Sequence, residues 1–212
     1  KKGSSSTGDD ILQILKLDNN KINIENEIEI LRSRTTIKKV VQELKLNIDY
    51  TISGRFKVST VYGAARPFEV EFLDSVTDYL TVKITVINKE SFKLKNYDGK
   101  VTTHNWGDTI NTAIGRAVVV KTPQFYLAPF EYSVNVCPIF DAAINYVGRV
   151  YISPPAKNVS YMTLSMNDIV PERAVDIINT LMNIYIRSNI DNRNRISDST
   201  IRFINERIDS IF

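Results

Sequence analysis

The chain has one histidine, His104, within Val101-Thr-Thr-His-Asn-Trp-Gly-Asp108. An imidazole near a carboxylate is the pair a general base needs. It does not make a metal site, because one His and one Asp leave a zinc-type centre short of ligands. No Ser or Cys stands in a strand-turn-helix elbow for His104 to activate, so nucleophilic catalysis lacks its nucleophile. Glu69 and Glu71, and Asp74 and Asp78, are paired carboxylates of the kind glycoside hydrolysis uses. Strand alternation, however, puts Glu69 and Glu71 opposite Phe68, Val70 and Phe72, on the face expected to meet water. The 8 glycines form neither a Walker loop nor a dinucleotide fingerprint. The sequence therefore names no catalytic residue, no metal ligand and no cofactor. An enzyme reading would rest on His104, Trp106 and Asp108 beside a cleft.

Four lysines cluster, Lys89, Lys93, Lys95 and Lys100, interleaved with Phe92, Leu94 and Tyr97. The pattern would suit an anionic polymer, and it is equally that of a strand with one wet face. Over the whole chain 27 basic and 24 acidic side chains are mixed, for a net charge of +3, and no nucleic-acid partner is implied. Cys137 is alone, so no intrachain disulfide supports the fold. No apolar run approaches the ~20 residues of a membrane span. At 212 residues and 43% hydrophobic, the chain is long enough for one domain with a sizeable core. Asn158-Val-Ser160 matches a glycosylation acceptor, a pattern short enough to arise by chance.

The elements that would position these groups alternate in period. Residues 1–10 are Ser- and Gly-rich and read as a flexible lead-in. Asp10 can cap a short helix through Ile11 and Leu15, and Asn23 a second carrying Ile24, Ile28 and Leu31. Thr35 or Thr36 starts a third, with Ile37, Val40, Val41 and Leu44 on one face. From Ile48 the period becomes two, with strands expected around Phe56 and Val58, Phe68 to Phe72, and Leu80 to Val86. Further strands are expected over Ser91 to Lys95, Ala117 to Lys121, Phe130 to Val136, Val150 to Ser153 and Ser160 to Met166. Turns fall at Asp98-Gly99, at Trp106-Gly107-Asp108 and at Pro154-Pro155, and Asp141 to Val147 suits a short helix. Pro171 fits a first helical turn. Ala174, Ile177, Ile178, Leu181, Ile184 and Tyr185 then make a wide apolar stripe. After Asn189 to Asn194, which either bends the helix or lets it run on, Ile201, Ile204, Ile208 and Ile211 repeat at steps of three and four, the spacing of a coiled-coil seam. Nothing caps this pattern at Phe212, and the helix is expected to continue. The fold expected is α+β: a mixed, largely antiparallel sheet packed by helices and ending in a truncated coiled-coil-like helix. Its main body would occupy 11–194 and its terminal helix 195–212, and the helices Ile24 to Leu44 and Ala174 to Tyr185 would cover one face of the sheet.

Two stretches carry a resemblance. Ile28-Glu-Ile-Leu-Arg-Ser-Arg34, followed by Ile37-Lys-Lys-Val-Val-Gln-Glu-Leu-Lys-Leu46, resembles the start of the periplasmic domain of Wzz-type polysaccharide chain-length determinants. Met162 to Tyr185, with Pro171-Glu-Arg-Ala174 and Ile178-Asn-Thr-Leu181 inside it, resembles that family's later strand-and-helix pattern. Phe203-Ile-Asn-Glu-Arg207 is similar to the start of its long membrane-returning helix. Between them, Gly54-Arg-Phe-Lys57, Thr60-Val-Tyr62 and Arg66-Pro-Phe-Glu-Val70 are similar to the larger Wzc-like tyrosine autokinases of capsule and exopolysaccharide export.

The resemblance implies the periplasmic part of a bacterial inner-membrane polysaccharide co-polymerase. Such a protein assembles with copies of itself around the growing capsular or exopolysaccharide, or O-antigen. Its implied partners are the polymerase, the outer-membrane export machinery and the polysaccharide. Membrane spans and a cytoplasmic kinase domain are absent from this chain, which on this reading is not an enzyme. Candidate contacts between copies are Glu29, Arg32, Arg34, Arg173, Asp176 and Arg187, together with Ile201, Ile204, Ile208 and Ile211. The alternative is a periplasmic enzyme or binding module acting on cell-envelope glycans.

Overall fold

The computed structural model describes residues 24–54, 57–127, 130–154 and 161–209. The expected lead-in, the helix over Ile11 to Leu15, the Asn23 cap, Phe56, Pro155, Asn158, Ser160 and Ile211 lie outside them. The fold is α+β, with three antiparallel sheets and, among the described residues, four α-helices.

Helix α1 (Ile24–Arg32) carries Glu25 and Glu27 in its first turn and Arg32 in its last, which suits its dipole. Ser33 ends it and caps helix α2 (Arg34–Glu43), its hydroxyl accepting the Thr36 N–H at 3.2 Å. The cap thus falls two to three residues before the expected Thr35 or Thr36. Lys45, at φ 52°, turns the chain into the first strand.

Strands β1 (Ile48–Ser53), β2 (Val58–Val61), β4 (Leu80–Val86), β5 (Ser91–Lys95), β6 (Val101–Asn105) and β9 (Glu131–Val136) form a six-stranded sheet in the order β2-β1-β9-β4-β5-β6. Strands β3 (Phe68–Phe72), β7 (Thr109–Thr112) and β8 (Gly115–Lys121) form a smaller sheet in the order β3-β8-β7. Where the sequence reading placed only the Trp106-Gly107-Asp108 turn, that turn in fact carries the chain from β6 to β7, from one sheet to the other. Gly107 at φ 88° makes the change of direction. Neither strand announces itself, because β6 is a partly exposed edge without apolar alternation and β7 buries only Ile110.

The inner faces of these two sheets bury one core. Tyr50, Val82, Ile84, Phe92, Leu94, Tyr132 and Val134 of the large sheet join Phe68, Val70, Ala117 and Val119 of the small one. Phe68 meets Tyr132 edge-on at 5.2 Å and Tyr50 at 6.0 Å. The Tyr50 hydroxyl accepts the Val70 N–H across the layers at 2.9 Å.

A second core is helical. It combines Ile28, Leu31, Ile37, Val40 and Val41 with Ala142, Ala143 and Tyr146 of helix α3 (Ile139–Val147), and with Ile177, Leu181 and Ile184 of helix α4 (Pro171–Asp209). Val150 and Ile152 of the hairpin β10 (Val150–Ser153) and β11 (Thr163–Met166) complete it. The helices therefore do not cover the large sheet, as their stripes led us to expect. A sheet already occupies that inner face, and the helices bury their stripes against one another and the hairpin. No described element covers the outer face of the large sheet at Lys83, Lys93 and Lys95, which are exposed between buried Val82, Ile84, Phe92 and Leu94.

Helix α4 runs without a break through Asn189 to Asn194 and across the expected boundary at 195. Asparagine costs a helix only about half a kcal/mol against Ala, and no Gly or Pro lies between Glu172 and Asp209. At ~1.5 Å per residue its 39 residues extend about 58 Å.

Candidate functional site

One helix, α4, has two environments. Through Ile184 it buries Ala174, Ile177, Leu181 and Ile184. From Ile190 to Ile208 every residue is exposed. Within that stretch Ile201, Ile204 and Ile208 are 58%, 49% and 48% exposed, and Ile196 and Phe203 flank them at 67% and 55%. The three isoleucines share a face, and no described element covers it. The helix leaves the body as an apolar-faced rod.

What aims the rod is a junction of charged groups at its base. Arg173 is buried and grips Asp168, whose side chain is fully buried, through Nη2 at 2.7 Å and Nε at 3.0 Å. Its Nη1 reaches Asp49 of β1 at 3.1 Å. Asp168 also accepts the Val170 N–H at 2.8 Å, fixing the turn that starts α4. Burial opposes ionisation of Asp168, yet the bonds from Arg173 and Val170 outweigh it and hold its carboxyl below the usual aspartate range. For Asp49 burial prevails over Arg173, and its carboxyl titrates above that range. The Tyr62 hydroxyl donates to Asp176 at 3.0 Å; burial and that carboxylate push the phenol up. Gly63, at φ 57°, lies so close to Glu172 that a Cβ would sit 2.6 Å from its Oε1. The Thr60 to Val70 segment thus fastens the start of α4 to the sandwich, and Arg66 adds an ion pair to Glu69 at 3.2 Å and packs over the rings of Tyr50 and Tyr62.

The candidate contact residues divide accordingly. Arg173 and Asp176 turn inward, so Arg173 is corrected from a surface contact to an internal clamp. The reason is local: positions 173 and 176 lie on the side of α4 that abuts β1 and the Tyr62 loop. Arg32 is exposed but donates to the Ile152 carbonyl at 2.6 Å, tying α1 to β10. Arg187 pairs with Glu43 of α2 at 2.9 Å, with both side chains largely in water. Glu29 and Arg34 are exposed on α1 and α2. Asp49, Asp168 and Tyr62 were not singled out by the sequence. The one signal available was Asp168, three residues before an N-terminal Pro and five before Arg173.

The groups with chemical potential do not converge. His104 Nε2 bonds the Thr102 hydroxyl at 2.8 Å and its ring packs on Phe92, while Asp108 accepts the Asn105 N–H at 3.1 Å. Trp106 packs against Phe68, Phe92 and Phe125, closing one end of the sandwich, and its Nε1 donates to the Asn88 carbonyl. Glu69 and Glu71 both bind Lys45, at 3.3 and 2.6 Å. Asp74 holds Arg116 through its guanidinium and backbone N–H, and these bonds bring its carboxyl down to about 2. Asp78 accepts the N–H of Tyr79. Among the described residues no group of three or more His, Cys, Asp or Glu could hold a metal. No helix among them is long and apolar enough to cross a membrane.

No protein-family model matches the sequence, and no curated protein matches it. Two crystal structures of Xanthomonas campestris FlgL are similar to it at 15% and 12% identity, with TM-scores of 0.26 and 0.24. They cover 77% and 65% of this chain, which spans 54% and 41% of theirs. Likeness at that level carries no argument about fold or role.

Proposed function

We propose that this chain is the periplasmic scaffold of a bacterial inner-membrane polysaccharide co-polymerase, which controls the length and export of a capsular or exopolysaccharide by assembling with copies of itself. The observation that carries the reading is the exposed half of α4. Most of a helix's stability comes from packing of an amphipathic face rather than from propensity, and three isoleucines at seam spacing would find that packing in another helix. The sequence resemblance supports it from a second side, since the segments that carry it build α1, α2, β11 and α4. On this reading membrane spans lie on both sides of the chain, any kinase activity belongs to a separate cytoplasmic domain, and the work is done by association. Glu29 and Arg34, exposed on the chain's first two described helices, are the charges we assign to contacts between copies.

The test is genetic. Arg34→Glu in the full-length protein should shift the length distribution of surface polysaccharide on gels, while protein abundance stays normal. Deletion of the gene should abolish length control. An unchanged distribution in the deletion strain would remove the proposal.

A further inference from the structure

Beside the Arg173 junction, between α3, the loop preceding α4 and the open face of the large sheet, lies a cleft of about 680 Å³. Ligand sites are commonly 300–1,000 Å³. Asp49 and Thr60 form its sheet side, Asn145 and Arg149 its α3 side, and Asn167 and Ile169 its third wall. We infer that this cleft is a binding site for a neutral sugar unit of a linear glycan, with Asp49, Asn145, Arg149 and Asn167 as its hydrogen-bonding groups.

Charge selects the class of ligand. Two arginines, 149 and 173, face two aspartates, 49 and 168, so the cleft is close to neutral. A phosphate or carboxylate would meet Asp49, and a cation would meet Arg149. A polyol uses both, donating to the carboxylate and accepting from the guanidinium.

Arg149 is set up for this. Its guanidinium lies over the Tyr146 ring at 5.3 Å and stands 3.8 Å from Asp168, too far for a hydrogen bond, so its N–H fork is held in place but not consumed. Asp49 Oδ1 accepts from Arg173 Nη1. No hydrogen bond to its Oδ2, or to the amides of exposed Asn145 and Asn167, is formed among the described residues. Ile169, 80% exposed, offers an apolar contact for the C–H face of a sugar ring.

The open sheet indicates a chain rather than a single sugar. Thr60 lies opposite Thr51, Thr51 opposite Ser133, Ser133 opposite Lys83 and Lys83 opposite Lys95. Four strand spacings make this hydroxyl-rich row about 19 Å long, leading out from the Thr60 wall of the cleft. That the glycan is the polymer handled by the intact protein rests on the proposed function; the recognition of a neutral sugar does not.

The test uses the 212-residue chain with cellohexaose and mannohexaose as neutral probes and tetragalacturonate as an anionic one, read by amide chemical shifts in NMR. At least one neutral probe should give saturable shifts at Asn145, Arg149 and Asn167, with a Kd of about 1 mM. Arg149→Ala should weaken it about tenfold or more. The double variant Asn145→Ala/Asn167→Ala, both exposed positions, should do the same with an unchanged melting curve. No saturable shift with either neutral probe overturns the inference. So does binding that survives both variants, or shifts confined to Lys83 and Lys95 with the uronate alone. Each is read on the 212-residue chain alone, so failure here leaves the assembly and polymer-length tests standing, and their failure leaves this one.

Discussion

The two halves of α4 carry similar apolar spacing and have opposite fates. From Pro171 to Ile184 the stripe is sealed against α2, α3 and the β10–β11 hairpin, and the charged groups beside it are bound at fixed points. From Ile190 to Ile208 the same spacing stands in water. Helical periodicity alone therefore says that a stripe must be buried, and not by what. The buried half is covered by described elements; the exposed half is covered by none of them.

The sharpest way to break this contrast is at the junction. Arg173→Leu leaves Asp168 buried without its partner and should cost ~3–5 kcal/mol in denaturant unfolding. Leu181→Ala, in the sealed half, should cost ~2–5 kcal/mol; a loss below about 1 kcal/mol would take this half out of the core. Acid should act at the same place. Because the Asp168 pKa is depressed in the fold, the unfolded chain takes up its proton first as pH falls. Its contribution is therefore complete above the ordinary aspartate value of about 3.9 and fades below it. Asp49, shifted the other way, opposes the trend. Asp168→Asn should flatten stability between about pH 5 and pH 2; a variant with the wild-type slope would discharge Asp168 from that role. The smallest effect belongs to the exposed half, where Ile204→Ala should leave the melting of the 212-residue chain within about 0.5 kcal/mol.

Much of the fold was legible because it rests on local periodicity. The two-residue alternation of Leu80 to Val86 and Ser91 to Lys95, and the 3.6-residue stripes of α1, α2 and α4, appear as expected. The partition into two sheets was not, because it depends on which face of Phe68 meets Tyr132, a pairing across 64 residues that no local pattern records. The candidate site was legible in part. Ile201, Ile204 and Ile208 show in sequence as one apolar helix face, which the structure places in water, whereas Arg173 looks in sequence like any surface charge on a helix. Only the packing of α4 against β1 brings Asp49 to it, from 124 positions away.

The proposed function makes this chain part of a longer membrane protein, and its most direct test is the mass of that protein in detergent, measured by light scattering. A closed assembly of more than two copies is expected, in which Ile201→Asp/Ile204→Asp/Ile208→Asp collapses the particle while the monomer stays folded. A monomer or plain two-fold dimer under every detergent tried, or a large assembly indifferent to the triple variant, would contradict it.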